Sequence, residues 1–90
     1  MIRMIKEEVI NINYTVSIEN PEYVELIKEY KASNIIRNAI ALQFQNAGMT
    51  REFEEMEKHN WLFKEINVSD SSKLIYRCFY SYTREEYKER

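Results

Sequence analysis

The sequence predicts an α+β fold, in which a small three-stranded, mainly antiparallel sheet carries its helices on one face. Three observations lead to this expectation. Residues 9–18 alternate in polarity, residues 21–47 follow the period of a helix, and residues 61–83 hold two more alternating segments around a polar turn. We expect one domain over residues 1–90, near the lower size limit for a self-sufficient core.

The first strand is predicted over residues 9–18. Apolar side chains occupy every second position and short polar ones lie between them: Ile10, Ile12, Tyr14, Val16 and Ile18, separated by Asn11, Asn13, Thr15 and Ser17. A period of two is typical of a strand with one buried and one solvated face. The β-branched content favours the same interpretation.

A helical region is predicted over residues 21–47. Asn20 and Pro21 suit an N-cap and a first helical position, and Gly48 suits a C-cap. The apolar side of residues 23–30 lies about half a turn away from that of residues 35–40. Either two helices meet near residues 31–34, or one long helix buries different faces against different partners. We expect one helix with at most a kink at residues 31–34.

A second, shorter helix is predicted over residues 51–59, with Thr50 as its cap and charges that favour the helix dipole. Residues 61–68 and 73–83 then read as two strands of a hairpin, joined by the polar turn of residues 69–72. Apolar side chains on both faces of the last strand indicate that it lies at the centre of the sheet. Residues 84–90 are predicted to form a frayed helix or a solvated tail.

The composition argues against several classes of protein. The net charge is −2, and no basic block of the kind that neutralises phosphates is present. Cys78 is the only cysteine, so neither a disulfide framework nor a CxxC zinc pattern exists. No signal-peptide core follows the first charged residues, and no apolar run approaches the ~18 residues that span a membrane. We expect a cytoplasmic protein, in the host cytoplasm if a phage encodes it, with no membrane partner.

Catalytic and metal chemistry have little support in the sequence. Cys78, His59 and Asp70 are each the only residue of their type, so a Cys–His–Asp triad can be drawn. Cys78, however, falls on an apolar strand face, where a thiol is usually an inert small hydrophobe. Glu55 and His59 have the spacing of metal ligands on a helix, but two ligands without a third are a weak signal. We therefore expect no catalytic residue, no metal and no cofactor, and hence no enzyme.

The first half of the chain carries a pattern of DNA-binding proteins. The strand ININYTVSI precedes a helix, and residues 33–40, SNIIRNAI, fit a Ser-x-(Leu/Ile)-Ile-Arg-x-Ala-Ile pattern. This arrangement resembles the ribbon–helix–helix family of repressors and antitoxins. The resemblance implies a dimer whose paired strands enter the major groove, with Asn11, Asn13 and Thr15 facing the bases.

The second face of the sheet is a candidate protein interface. Trp61 and Phe63 share one side of their strand, and Arg77 and Phe79 share one side of the last strand. If the two sides coincide, the open face combines large rings with an arginine, which is the composition of an interface centre. If they do not, Trp61 and Phe63 complete the core.

The sequence thus favours a small, non-catalytic binding protein that acts by contact with a protein partner, as a homodimer. Its small size and residue usage suit a phage or mobile-element inhibitor or regulator of a host complex, by analogy. The alternative is a dimeric transcriptional regulator or antitoxin of the ribbon–helix–helix type, with nucleic acid as a partner only in that case.

Overall fold

Six elements follow one another in the order β-α-α-α-β-β. The structure is a computed structural model that describes the backbone of residues 3–89 and the side chains of residues 6–85. The elements are β1 (Arg3–Ile18), α1 (Pro21–Tyr30), α2 (Ser33–Asn46), α3 (Thr50–Lys58), β2 (Leu62–Ile66) and β3 (Leu74–Glu89). Residues 1, 2 and 90 lie outside the described residues.

The three strands form one antiparallel sheet in the order β1-β3-β2. Both β1 and β2 run antiparallel to β3, so they are parallel to each other at opposite edges. The predicted α+β class and the central position of the last strand are confirmed. The helices are three instead of the two expected.

The strands differ greatly in length, and this gives the molecule an arm. β1 and β3 pair over sixteen residues each, whereas β2 has five residues and covers only the first part of β3. Residues 3–12 and 80–89 therefore continue as a two-stranded ribbon, which we call the arm. The principal extents of 61 × 24 × 19 Å reflect this elongation.

The arm corrects the expectation of a frayed helix or solvated tail after residue 83. Residues 84–89 are strand and pair with residues 3–8 of β1. The Arg84 guanidinium donates to Glu8 Oε2 over 2.8 Å across the two strands. The pattern of this charged segment alone does not reveal a strand, because the pairing partner lies about eighty residues away in sequence.

The helical region is broken, so the expectation of one continuous helix is wrong. Lys31 adopts the left-handed conformation with φ 50°, and its N–H donates to Ile27 O over 2.8 Å. Ala32 is extended and accepts from the N–H groups of Ile35 and Ile36. The break lets each helix turn its own apolar side to the sheet. The buried side chains are Val24 and Ile27 in α1 and Ile36, Ala39, Ile40 and Phe44 in α2.

Local signals at the other helix ends are partly as predicted. Asn20 Oδ1 accepts from the Glu22 N–H over 3.0 Å, which is the expected N-cap bond. Gly48 adopts φ 71° just after α2, a conformation that favours glycine. Thr50 is the first residue of α3 instead of its cap, and Met49 holds the cap position without a side-chain bond.

The core lies between the helices and one face of the sheet. It consists of thirteen buried side chains: Val16, Ile18, Val24, Ile27, Ile36, Ala39, Ile40, Phe44, Met56, Trp61, Leu74, Tyr76 and Cys78. From the apolar face that the alternation predicted for β1, Val16 and Ile18 are buried in this core. No helix among residues 3–89 is long and apolar enough to cross a membrane.

The break makes a prediction about stability. Lys31→Gly should raise the free energy of unfolding by up to about 1 kcal/mol, because glycine adopts a positive φ without a Cβ penalty. Glu25→Gly, at an exposed position inside α1, is the control and should lower it by about 1 kcal/mol. Urea unfolding of both variants measures the difference. A loss of stability in Lys31→Gly would show that the helix is continuous.

Candidate protein interface

The sheet face turned away from the helices, which we call the open face, is built from cross-strand rows. Tyr76 and Cys78 of β3 are buried in the core, and successive side chains of a strand point to opposite faces. Arg77 and Phe79 therefore point outward. The pairing sets three rows across the strands: Ile66–Ile75–Ser17, Lys64–Arg77–Thr15 and Leu62–Phe79–Asn13.

Two of these rows form an apolar and cationic cluster, which we call the Phe79 patch: Leu62, Lys64, Arg77 and Phe79. Leu62 is 57% exposed, Lys64 and Arg77 are exposed, and Phe79 is half-buried. Across the three rows, the two cations are the only charged residues that the structure describes. The patch is therefore positive although the whole chain carries a net charge of −2.

Trp61 and Phe63, predicted as candidates on the same face, lie on the covered face instead. Phe63 pairs with Cys78, whereas Leu62 pairs with Phe79. Trp61 is 1% exposed, and its backbone carbonyl accepts from Arg37 over 3.1 Å. The four candidate side chains therefore do not form one surface: Arg77 and Phe79 belong to the open face, and Trp61 and Phe63 pack against the helices.

Arg37 and Glu57 explain how Trp61 is held. The Trp61 Nε1–H donates to Glu57 Oε1 over 3.0 Å. The Arg37 guanidinium lies 4.4 Å from the centre of the indole ring and 5.2 Å from that of Phe63, within the range of a cation–π contact. These contacts fix the start of β2 and, with it, the outward direction of Leu62.

Leu62 and Lys64 lie on the open face beside Arg77 and Phe79, although the sequence pattern did not single them out as candidates. The signal for them was the predicted polar turn. If residue 68 pairs with residue 73 across that turn, the antiparallel register places Leu62 opposite Phe79. The structure has this register, and Asp70 fixes the turn by accepting from the Ser72 N–H and hydroxyl over 2.9 and 2.6 Å.

The candidate DNA-reading residues are on the open face as well. Asn11, Asn13 and Thr15 are all exposed. They lie opposite Ser81, Phe79 and Arg77 of β3, respectively. The candidate DNA-reading residues and the two outward-facing interface candidates, Arg77 and Phe79, thus belong to one continuous surface.

The residues of the drawn triad do not come together. Asp70 lies in the turn before β3, and the His59 ring stacks on Tyr80 with 5.0 Å between ring centres. The six rises along the strand from Leu74 to Tyr80, at about 3.4 Å each, separate those two places by about 20 Å. His59 Nδ1 lies 2.8 Å from the Glu55 carbonyl, so this ring nitrogen is a donor with a local partner.

Cys78 has the environment of a core residue. It is fully buried, and burial raises the pKa of its thiol from 9.0 to about 12, an effect that the Arg37 charge partly offsets. Burial also raises the pKa of the neighbouring Tyr76 to about 12. The nucleophilic thiolate is therefore nearly absent at neutral pH.

Glu55 and His59, which have the spacing of metal ligands, have no third ligand beside them among the side chains of residues 6–85. Among residues 6–85, no group of three or more His, Cys, Asp or Glu side chains is placed to hold a metal ion. Lys58 Nζ lies 3.2 Å from Glu55 Oε1 as an exposed ion pair, so this carboxylate is part of the charged surface of α3.

Comparison with known proteins identifies no relative. No family model, no curated protein and no solved structure matches this chain.

The buried thiol predicts slow alkylation. At pH 8, a pKa of about 12 leaves a thiolate fraction on the order of 10⁻⁴, against about a tenth for a thiol with the ordinary pKa of 9.0. Mass spectrometry should show native Cys78 reacting with iodoacetamide at least a hundredfold more slowly than the same chain in denaturing urea. The native rate should still be rising as pH approaches 12. A native rate within tenfold of the unfolded rate would contradict the burial.

Proposed function

We propose that this chain is a non-catalytic protein that acts by binding a protein partner through the open face of its sheet. The observation that supports this most directly is the Phe79 patch. Leu62 and Phe79 present apolar surface side by side, and Arg77 and Lys64 lie in the next row. A single exposed apolar side chain needs no explanation, but an aromatic ring beside an aliphatic side chain and an arginine has the composition of an interface centre.

The charge of the patch indicates the chemistry of the partner. Lys64 and Arg77 lie in one row, and the three rows contain no carboxylate among the described residues. An acidic surface on the partner would complement them and would speed association through electrostatic steering. A phage or mobile-element protein that inhibits or regulates a host complex is the setting that we favour, by analogy of size and residue usage.

The proposal predicts a difference between two matched leucine substitutions. Leu62→Ser removes an exposed side chain from the patch, and Leu26→Ser removes one that is 40% exposed on α1. With the tagged chain as bait in a nuclease-treated lysate, Leu62→Ser should weaken partner capture at least tenfold, equivalent to about 1.4 kcal/mol. Leu26→Ser should leave capture unchanged.

A second pair of variants tests the charge. Arg77→Glu should abolish capture, whereas Arg51→Glu, at an exposed position of α3, should not. Trp61→Ala is unsuitable as a test because Trp61 is buried in the core. Equal loss in Leu62→Ser and Leu26→Ser, or capture that survives Arg77→Glu, would refute binding through the open face.

A DNA-binding regulator is the second candidate, and one observation favours it. The break at Lys31 and Ala32 produces the strand–helix–helix order of the ribbon–helix–helix family. Asn11, Asn13 and Thr15 are exposed on the face away from the helices, as base-reading side chains of that family would be. Among the described residues only β3 pairs with β1, so the outer edge of β1 remains for a second strand.

This alternative makes its own prediction. The chain should retard duplex DNA in a gel with steep salt dependence, and Asn11→Ala combined with Asn13→Ala should abolish the retardation. Asn46→Ala combined with Asn67→Ala, at exposed positions outside the strands, is the control. The absence of retardation at low salt would exclude this function.

A further inference from the structure

The open face continues onto the arm, where its charge changes sign. Beyond the row of Asn13, the pairs along the ribbon are Asn11–Ser81, Val9–Thr83 and Glu7–Glu85. Val9 is 64% exposed, and Glu7 and Glu85 are exposed. One surface is therefore cationic on the body and acidic toward the tip of the arm.

These rows are arranged symmetrically about the Asn11–Ser81 pair. Two residues toward the body lie Phe79 and Leu62, and two residues toward the tip lies Val9. Each of these positions presents apolar surface. Four residues toward the body lie Arg77 and Lys64, and four residues toward the tip lie Glu7 and Glu85, so the charges at equal distances from the centre are opposite.

We propose that the open face binds a second copy of this chain, in a dimer whose two-fold axis passes through the Asn11–Ser81 pair. Each copy lays its arm antiparallel on the body of the other. Val9 then packs on Leu62 and Phe79, and Glu7 faces Arg77, once on each side of the axis. This inference rests on the proposed function, because it names a partner for the same surface.

The charge pattern is the reason for a second copy as the occupant. A two-fold axis sets each surface against its own rotated image. Over the five rows from Lys64–Arg77 to Glu7–Glu85, the rotation brings the cationic row against the acidic row, and Leu62 and Phe79 against Val9. The opposed charged rows lie about 14 Å from the axis, which is four residues at 3.4 Å each. Twisted sheets stack about 10 Å apart and cross at about 30°, which accommodates the twist of the two ribbons.

The dimer also covers the element that most needs a partner. A two-stranded ribbon alone is only marginally stable in water, and Val9 exposes its side chain on this one. Five rows across two or three strands make a surface of roughly 35 by 12 Å, so both copies together bury on the order of 1,000 Å². This is near the lower limit of specific interfaces, so we expect a dissociation constant in the micromolar range.

A charge exchange tests the proposal. In Arg77→Glu, residues 7 and 77 are both acidic, and in Glu7→Arg they are both basic, so each variant would place like charges together twice in its own dimer. Sedimentation equilibrium should show a dimer dissociation constant at least tenfold larger for each variant alone than for the natural chain. An equimolar mixture should restore dimers, because Glu7 of one copy then meets Arg77 of the other, and the two exchanged residues meet as well.

Controls separate this result from unfolding and from general charge effects. Arg51→Glu and Glu54→Arg change the same charges at exposed positions of α3 and should dimerise like the natural chain. Circular dichroism of every variant should match that of the natural chain. A natural chain that stays monomeric at 500 μM, or a mixture that stays monomeric, would overturn the dimer.

The two proposals fail in different ways. A monomeric chain that still captures another protein in a Leu62-dependent manner would refute the dimer and keep the proposed function. A dimer that obeys the charge exchange but captures no other protein would keep the dimer as the occupant of the open face. It would then refute binding to a different protein.

Discussion

The pairing of β1 with β3 is the constraint on which the rest of the structure depends. The pairing runs without interruption over sixteen residues. Its register determines which alternating set of side chains on each strand faces the core. A slip by one residue would turn Tyr76 and Cys78 outward and Arg77 inward. Burying an unpaired guanidinium costs several kcal/mol, so the register that fills the core is also the one that places Arg77 and Phe79 on the open face.

Core and surface are coupled most closely at β2. Trp61 is held by Glu57, by Arg37 and by the ring of Phe53, whose centre lies 5.9 Å away. Because side chains alternate along a strand, fixing Trp61 and Phe63 inside also fixes Leu62 and Lys64 outside. The Phe79 patch therefore lies on paired strands and not on a loop, which would lower the ordering cost of the proposed binding.

The sequence was sufficient where a local pattern decides the structure, and insufficient where a distant partner does. Alternation identified β1, and Asn20 with Pro21 marked the start of α1. The half-turn change of apolar side left a break near residues 31–34 as an alternative, but a left-handed lysine has no local signature that would have favoured it over a continuous helix. The cost of the break, about 1–2 kcal/mol, is offset by the apolar side chains that two separate helices bury. The faces of Trp61 and Phe79 depend on the register between strands, and the strand after residue 83 depends on β1, so neither follows from local periodicity.

The distribution of charge links the two proposals to each other. If the proposed dimer forms, a partner that binds the Phe79 patch would have to displace the arm of the second copy, because both would contact Arg77 and Leu62. Its apparent affinity is therefore reduced by the fraction of chains that have a free open face. With a micromolar dimer, that fraction is close to one at nanomolar concentrations and small at hundreds of micromolar. An acidic partner would thus meet an available surface when the protein is scarce, and self-association would cover the exposed apolar residues when it is abundant.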